Sequence, residues 1–361
     1  MDFNLDEAQR DLEGLATELL AREATNERLE AHDKSGASYD RAIWKALAQA
    51  GLIGACLPAE AGGAGLGVIE LAVVLRAIGA HVAPVPAYAS LALAAWTIAE
   101  HGSAEQKALL GPLAEGEIVL TGAVREPGDG VSTTAVRDGD SYVLDGVKTF
   151  VPYASEASHI LIPARTGDGI GVFLVPAGEL TLTAHPAATG EPMSRIALDG
   201  LRVGADTLLA GGAWDTLRRT AIAGAIATVS GVIDGALKLT TGYVKTREQF
   251  GRALAEFQAV TMQIGDVYIA KRALDVALWA GVWRLDEQTA DVDEVLAIAA
   301  YNACDPVVKA LYTCQHLHGG IGLDVTYPLH RYFATAKHYG HLLGGAEAQL
   351  DAIGSIVAQE A

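Results

Sequence analysis

The sequence predicts an α+β chain in three parts: an N-terminal helical domain over residues 1–116, a middle antiparallel β-barrel or sandwich domain over 117–210, and a C-terminal four-helix bundle over 211–361. Three observations predict it. Apolar residues recur at helical spacing near both ends of the chain. Between Ile118 and about Leu209 that pattern gives way to short β-branched runs punctuated by Gly, Asp and Pro. Half of the 361 residues are hydrophobic, enough to bury a sizeable core over two or three domains.

Taken in order, Leu12, Leu15, Leu19 and Leu20 form the first helical stripe, and Trp44, Leu47 and Leu52 a second. The stretch GLIGACLPAEAGGAGLG that follows invites a dinucleotide-loop reading. Gly62, Gly63, Gly65 and Gly67 do not satisfy G-x-G-x-x-G, because Val68 stands where the last glycine belongs and no βαβ unit surrounds them. An interhelical loop is the better reading. Helical patterns resume at about Ile69–Ile78 and Ala87–Glu100, and Ser103 is placed to cap the helix that begins at Ala104. The strand runs are IVLTGAV, SYVLDGVKTFV, HILIPAR, GVFLVP and LTLTAHP. From Trp214 the chain is helical again. Ile222, Ile226, Val229, Ile233 and Leu237 mark one long stripe; a second helix spans about Phe257–Leu285, a third about Val292–Leu317, and a last follows Gly344-Gly345.

Composition narrows the function classes. With 26 Lys+Arg against 44 Asp+Glu, the net charge of −18 argues against a general nucleic-acid or anionic-membrane surface, while leaving room for a local basic site. Cys56, Cys304 and Cys314 form no CxxC pair, and the odd count suits a reducing compartment. The acidic start MDFNLDEAQR is not a signal peptide. No apolar run is uninterrupted for the roughly 18 residues of a spanning helix. A cytoplasmic protein is expected.

The chemistry concentrates at Arg247-Glu248-Gln249-Phe250-Gly251-Arg252, where one long helix ends and another begins. A break there frees backbone N–H groups and presents Arg247 and Arg252 to an anion, and the planar guanidinium fork suits phosphate. Arginines near a helix end are more commonly solvated charges, so the wording around them matters. YVKTREQFGRALAEFQAV resembles the C-terminal-domain signature of the acyl-CoA dehydrogenase family, and HLHGGIGLDVTYPLHRYFATAK at His316–Lys337 resembles a second motif of that family. Pro58-Ala59-Glu60-Ala61-Gly62-Gly63 and SAEQKALLGPLAEGE are also similar to family segments, so the resemblance covers essentially the whole chain.

The resemblance implies the acyl-CoA dehydrogenase fold and FAD as cofactor. By residue-by-residue match, Arg247, Phe250, Gln258, His316, Gly319 and Gly320 bind the ADP half of FAD, which in the family is seated mainly in a neighbouring chain. His316 stands where the family commonly has glutamine; a satisfied helix-end role is the ordinary alternative for it and for His318. The family reaction moves an α-proton of an acyl-CoA thioester to a carboxylate and a β-hydride to the flavin. Here the sequence departs. Leu343 stands at the usual base position and Ala221 at the second one, so no catalytic residue is assigned. Thr326 replaces a commonly acidic residue. Phe150-Val151-Pro152-Tyr153 replaces Trp/Phe-Ile-Thr-Asn, which removes the usual hydroxyl donor to flavin, and Arg125-Glu126-Pro127 replaces Thr-Glu-Pro.

The expectation is therefore one subunit of a heteromeric, α2β2-type enzyme resembling the base-less subunit of actinobacterial steroid-side-chain acyl-CoA dehydrogenases. A homologous partner subunit supplies the base, the acyl-CoA occupies a shared site, and electron-transfer flavoprotein is the expected electron acceptor. The alternatives are a self-sufficient homotetramer using Glu126 or Asp324 as base, a non-enzymatic scaffold, and a plain helical interaction protein. Turn roles are the commoner ones for both carboxylates.

Overall fold

The computed structural model describes residues 5–360. Secondary structure follows the α, β, α order. The first part holds α1 (Glu7–Glu23), α2 (Asn26–Ser35), α3 (Arg41–Gln49), α4 (Val68–His81), a buried π-helical segment (Tyr88–Ala95) running into α5 (Trp96–His101), α6 (Ala104–Lys107) and α7 (Leu110–Ala114). Its helix starts are set by capping side chains. Asp6 and Gln9 exchange hydrogen bonds in a capping box at α1, and Ser103 and Gln106 do the same at α6, as the sequence predicts for Ser103. Asp40 accepts from the Ala42 and Ile43 amides at α3.

In space the chain forms two compact units. One gathers the stretch up to Lys34, Ala72–Ala83 and the stretch from Ile222 onward; the other gathers Ser35–Leu71 and Pro84–Ala221.

The second unit contains the seven-stranded sheet. Strands β1 (Leu120–Gly122), β2 (Thr134–Asp138), β3 (Ser141–Pro152), β4 (His159–Thr166), β5 (Gly169–Pro176), β6 (Thr181–His185) and β7 (Met193–Gly204) form one curled sheet in the order β1-β4-β2-β3-β7-β6, with β5 beside β4. The expectation of a purely antiparallel sheet needs correction. β1 runs parallel to β4, and β2 meets β4 in parallel at Thr134↔Arg165; the other pairings are antiparallel. Parallel neighbours need long crossovers, which strand-run patterns do not reveal. Leu144, Val151, Ile160, Ile162, Phe173 and Ile196 fill the interior.

An ion pair lies inside this apolar layer. Lys148 is wholly inaccessible and donates from Nζ to Glu126 Oε1 at 2.5 Å and to the Pro163 carbonyl at 2.6 Å. Glu126 also accepts from the Ser132 hydroxyl and from the Ser132 and Thr133 amides. Burial alone raises the Glu126 carboxyl pKa; the Lys148 and Ser132 hydrogen bonds and the Lys148 charge outweigh it and bring it down to about 2.

The first unit contains α8 (Ala213–Thr246) from Ile222, a two-stranded hairpin of β8 (Glu248–Gln249) and β9 (Arg252–Ala253), α9 (Gln258–Asp286), α10 (Val292–Cys304), α11 (Pro306–His318), α12 (Leu329–Leu342) and α13 (Gly345–Glu360). The single third helix expected over Val292–Leu317 is two. Pro306 lacks an amide donor and disfavours helical backbone at the residue before it, so Asp305 turns out of line (φ −117°, ψ −69°) and α11 starts at Pro306. By length and composition α8 could cross a membrane, but 83% of its most apolar window is buried within the protein, as in a core helix.

Within this unit α1, α4, α8 and α9 are knit by a polar network. Arg76 donates to Glu13 at 3.0 Å and to Ser230 at 3.1 Å, Ser230 donates to Asp275 at 2.8 Å, and Lys271 lies 3.0 Å from both Asp234 and Asp275. The α4–α8 crossing requires Gly231: a Cβ there would lie 1.9 Å from the Arg76 carbonyl oxygen and 2.7 Å from the Ala80 amide nitrogen.

Two predictions follow from this packing. Gly231→Ala should cost about 3 kcal/mol through overpacking. Gly242→Ala on the same helix, where a Cβ meets nothing within 4 Å, should gain roughly 0.5 kcal/mol; chemical denaturation of both variants checks the pair. The folded-state Glu126 pKa lies below its unfolded value of about 4.3, so its stabilisation is complete above that value and is lost as pH falls from there toward about 2. Glu126→Gln should lose about 3 kcal/mol at neutral pH by stranding Lys148, and its stability should vary less with pH across that acid window than the parent's.

Candidate functional site

The hairpin after α8 turns on two residues. Phe250 and Gly251 both have positive φ (56° and 79°), the pattern of a two-residue type I′ turn. Glycine adopts this freely; phenylalanine does not. The side chain so placed is 92% exposed, so Phe250 is both strained and unburied. Register fixes the rest: Glu248 pairs with Ala253, Gln249 with Arg252, and the Leu254 amide donates to the Arg247 carbonyl at 2.8 Å. Arg252 lies over the Phe257 ring at 4.0 Å, and Phe250 meets the same ring edge-on at 6.3 Å. Gln258 follows as the exposed first residue of α9. Arg247 is exposed and, among the described residues, neither it nor Arg252 has a carboxylate partner.

The second motif closes α11. Gly319 caps the helix with φ 63°, and Gly319 and Gly320 are exposed, with no atom within 4 Å of where a Cβ would stand. Their backbone is open to close approach. His316 is exposed one turn earlier.

Tyr243, one turn before Arg247, brings the two motifs together. Its ring stacks on His318 at 4.4 Å, and its hydroxyl donates to the His318 carbonyl at 3.3 Å. The histidine is buried and bonded at both nitrogens. Nδ1 donates to the Cys314 carbonyl at 2.8 Å, so in the neutral ring Nε2 accepts from the Tyr327 hydroxyl at 3.1 Å. Burial pushes its pKa below the ordinary histidine value against the pull of the Cys314 carbonyl, which favours that neutral ring. His318 is thus the satisfied helix-end histidine, and His316 is the one left free to meet a ligand. Sequence reasoning assigned no role to Tyr243 or Tyr327; the signal available was an aromatic ring four residues before Arg247 and another nine after His318.

The positions matched to the catalytic base are apolar and packed. Leu343 ends α12, is 9% exposed, and its carbonyl accepts from Gln349 at 2.6 Å. Ala221 is 7% exposed, and its carbonyl accepts from the buried Tyr88 hydroxyl at 3.2 Å. The other carboxylates weighed as bases are held elsewhere. Glu126 is locked by Lys148, Ser132 and Thr133. Asp324 accepts from the Thr326 amide and hydroxyl, both at 2.8 Å, as a turn aspartate, and those bonds lower its pKa. Thr326 itself serves that turn.

In the sheet, a register shift between Lys148 and Val151 puts Phe150 in left-handed backbone (φ 51°), half exposed and stacked on His185 at 5.5 Å. Val151, Pro152 and Tyr153 are buried, so this strand end presents no exposed hydroxyl. The glycine-rich loop before α4 is a folded turn: a Cβ at Gly63 would meet the Leu57 carbonyl oxygen at 2.1 Å, and the Gly65 amide donates to that same oxygen at 2.8 Å.

Comparison with known proteins bears on this arrangement. Residues 6–117 match the acyl-CoA dehydrogenase N-terminal domain, and residues 216–358 match the acyl-CoA dehydrogenase C-terminal domain. The chain is 36% identical to acyl-CoA dehydrogenase FadE27 of Mycobacterium tuberculosis, covering 99% of each protein. It is also 36% identical to FadE28 of the same organism, over 86% of this chain and 91% of that one. Among solved structures it superimposes on the Tcur3481-Tcur3483 steroid ACAD with a TM-score of 0.93 at 40% identity, covering 98% of each chain. For the ChsE4-ChsE5 complex of Mycobacterium tuberculosis the TM-score is 0.94 at 35% identity, covering 99% of each. FAD is the cofactor of this family. With both domain types matched in order, and relatives above one-third identity along nearly the full length, the chain belongs to the acyl-CoA dehydrogenase family.

Proposed function

We propose that this chain is one subunit of a heteromeric, α2β2-type acyl-CoA dehydrogenase, contributing the ADP side of FAD to a site shared with a homologous partner that carries the catalytic base. The observation that carries this reading is an asymmetry. Among the described residues Arg247 has no carboxylate partner and Gly319-Gly320 is open, while Leu343 and Ala221 stand packed where a carboxylate would have to be.

The residues present fit the cofactor. Unpaired guanidinium charge in a chain of net charge −18 suits a pyrophosphate, and backbone without a Cβ suits close approach by a flat, polar ligand. On this reading Arg247 neutralises phosphate, Phe250 offers an apolar face, Gly319 and Gly320 admit the cofactor to the backbone, and Gln258 and His316 supply flanking polar contacts. Bound FAD supplies the acceptor for the substrate's β-hydride. The α-proton needs a carboxylate near operating pKa. Glu126, held at about 2 inside the sheet, and Asp324, committed to its turn, are poor candidates, so the base falls to the partner.

A heteromeric assembly is supported by two further observations. The Tcur3481-Tcur3483 and ChsE4-ChsE5 relatives are pairs of different chains. Along α9, Met262, Ile269 and Val276 recur every seven residues and are each at least half exposed, an apolar stripe of the kind that subunit contacts cover. The substrate proposed is the CoA thioester of a steroid with a short side chain, by likeness to the relative described as a steroid ACAD. Electron-transfer flavoprotein as acceptor and a cytoplasmic location complete the proposal.

The test is the visible flavin spectrum. Expressed alone, the chain should be colourless; co-expressed with its homologous partner, it should yield a yellow tetramer that a steroid acyl-CoA bleaches. A yellow, substrate-reducible protein from this chain alone would overturn the shared-site reading. A second outcome is specific to the turn. Phe250→Asn, which suits left-handed backbone, should stabilise the isolated chain by about 1 kcal/mol yet weaken FAD retention by the complex, measured by thermal unfolding and by flavin titration.

A further inference from the structure

We propose that Arg252 is a second phosphate-binding residue, and that Arg247 and Arg252 together form a two-cation clamp on one face of the β8–β9 hairpin. The inference rests on the reading that Arg247 faces the FAD pyrophosphate, and extends it to a residue which that reading leaves unused.

Hairpin geometry carries the argument. Cross-strand partners share a face, and so do alternate residues along a strand. Gln249 pairs with Arg252, and Arg247 stands opposite Leu254. Arg247, Gln249 and Arg252 therefore lie on one face, while Glu248, the acidic residue of the hairpin, lies on the other with Ala253. The arrangement separates like from unlike charge: two arginines share one face of the hairpin, and the nearest carboxylate in sequence, Glu248, belongs to the other. Two like charges on one exposed face repel unless an anion joins them.

Arg252 is also held in place. Its guanidinium carbon sits 4.0 Å from the Phe257 ring centre, a cation–π contact that positions the side chain without using an acceptor. Among the described residues it has no ion-pair or hydrogen-bond partner through its guanidinium. The Phe250 ring meets Phe257 edge-on at 6.3 Å. A pyrophosphate diester carries one negative charge on each phosphate; Arg247 answers one and Arg252 the other.

The experiment uses the flavin-stripped heteromeric complex, titrated with FAD and followed by quenching of flavin fluorescence at low and high salt. Arg252→Ala should weaken FAD binding about tenfold at low salt, as loss of a charge-assisted phosphate contact does, and the defect should shrink at high salt. Arg252→Lys should recover part of the affinity, and Phe257→Leu should weaken binding about threefold with Arg252 intact. If Arg247→Ala abolishes binding while Arg252→Ala and Arg252→Gln both bind within twofold of the parent at either salt, Arg252 is a solvated charge and the clamp is wrong. If Arg247→Ala itself leaves FAD binding unchanged, the underlying placement of the cofactor falls, and the clamp with it. A salt-independent loss in Arg252→Ala would mark a packing role and likewise overturn the proposal.

Discussion

The stack of His318 on Tyr243 is the contact on which the rest of the site depends. It joins the end of α8 to the end of α11, two helices whose C-terminal residues lie far apart in sequence. The arginine hairpin leaves α8 one turn after Tyr243, and the glycine turn leaves α11 one residue after His318. Each motif is exposed and has little packing of its own. Their relation is therefore set from below, by a buried ring with both nitrogens satisfied and a carbonyl pinned by the tyrosine hydroxyl. A histidine bonded in this way resists reorientation, because turning the ring would leave a buried polar atom unpaired. The stack is thus a support for the two exposed motifs, with no chemistry of its own.

The two positions matched to the base are tied into the packing around them. Leu343 contributes its side chain to the core and its carbonyl to Gln349, and Ala221 contributes its carbonyl to Tyr88. Introducing a glutamate at either place would bury a charge in a packed position, at a cost of several kcal/mol unless the group were paired or neutralised. The surroundings have closed over these positions. The hairpin and the glycine turn stay open, and on the shared-site reading that contrast separates a surface kept for a ligand from one given up to packing.

Much of this was legible in the chain itself. Caps at Ser103, the long stripe from Ile222, the β-branched runs and the two family motifs are local patterns, and local patterns survive in sequence. Gly63 is also local, and its role in a folded turn agrees with the failed dinucleotide fingerprint. The rest depends on contacts between distant residues. Lys148 and Glu126 are separated by 22 positions and by the whole of β2, and a lysine in a strand reads as exposed until the sheet is closed around it. The parallel pairing of β1 with β4 has no sequence period. Pro306 is legible as a break, but the apolar spacing on either side of it continues as if the helix were whole. Tyr243 and His318 meet because two helix ends converge, and neither residue announces the other.

Phe250 is where local and global requirements conflict. A two-residue turn of this hand favours asparagine before glycine, and an apolar ring on the surface is itself unfavourable, so the isolated chain bears a cost for this residue twice. Packing elsewhere in the chain does not recover it, since the ring is 92% exposed and touches Phe257 only at an edge. On the shared-site reading the recovery comes from outside, when the cofactor and the partner subunit cover the ring. The hairpin is then a surface whose energy is complete only in the assembled enzyme. This accounts for its combination of unpaired cations, strained backbone and exposed aromatic side chain.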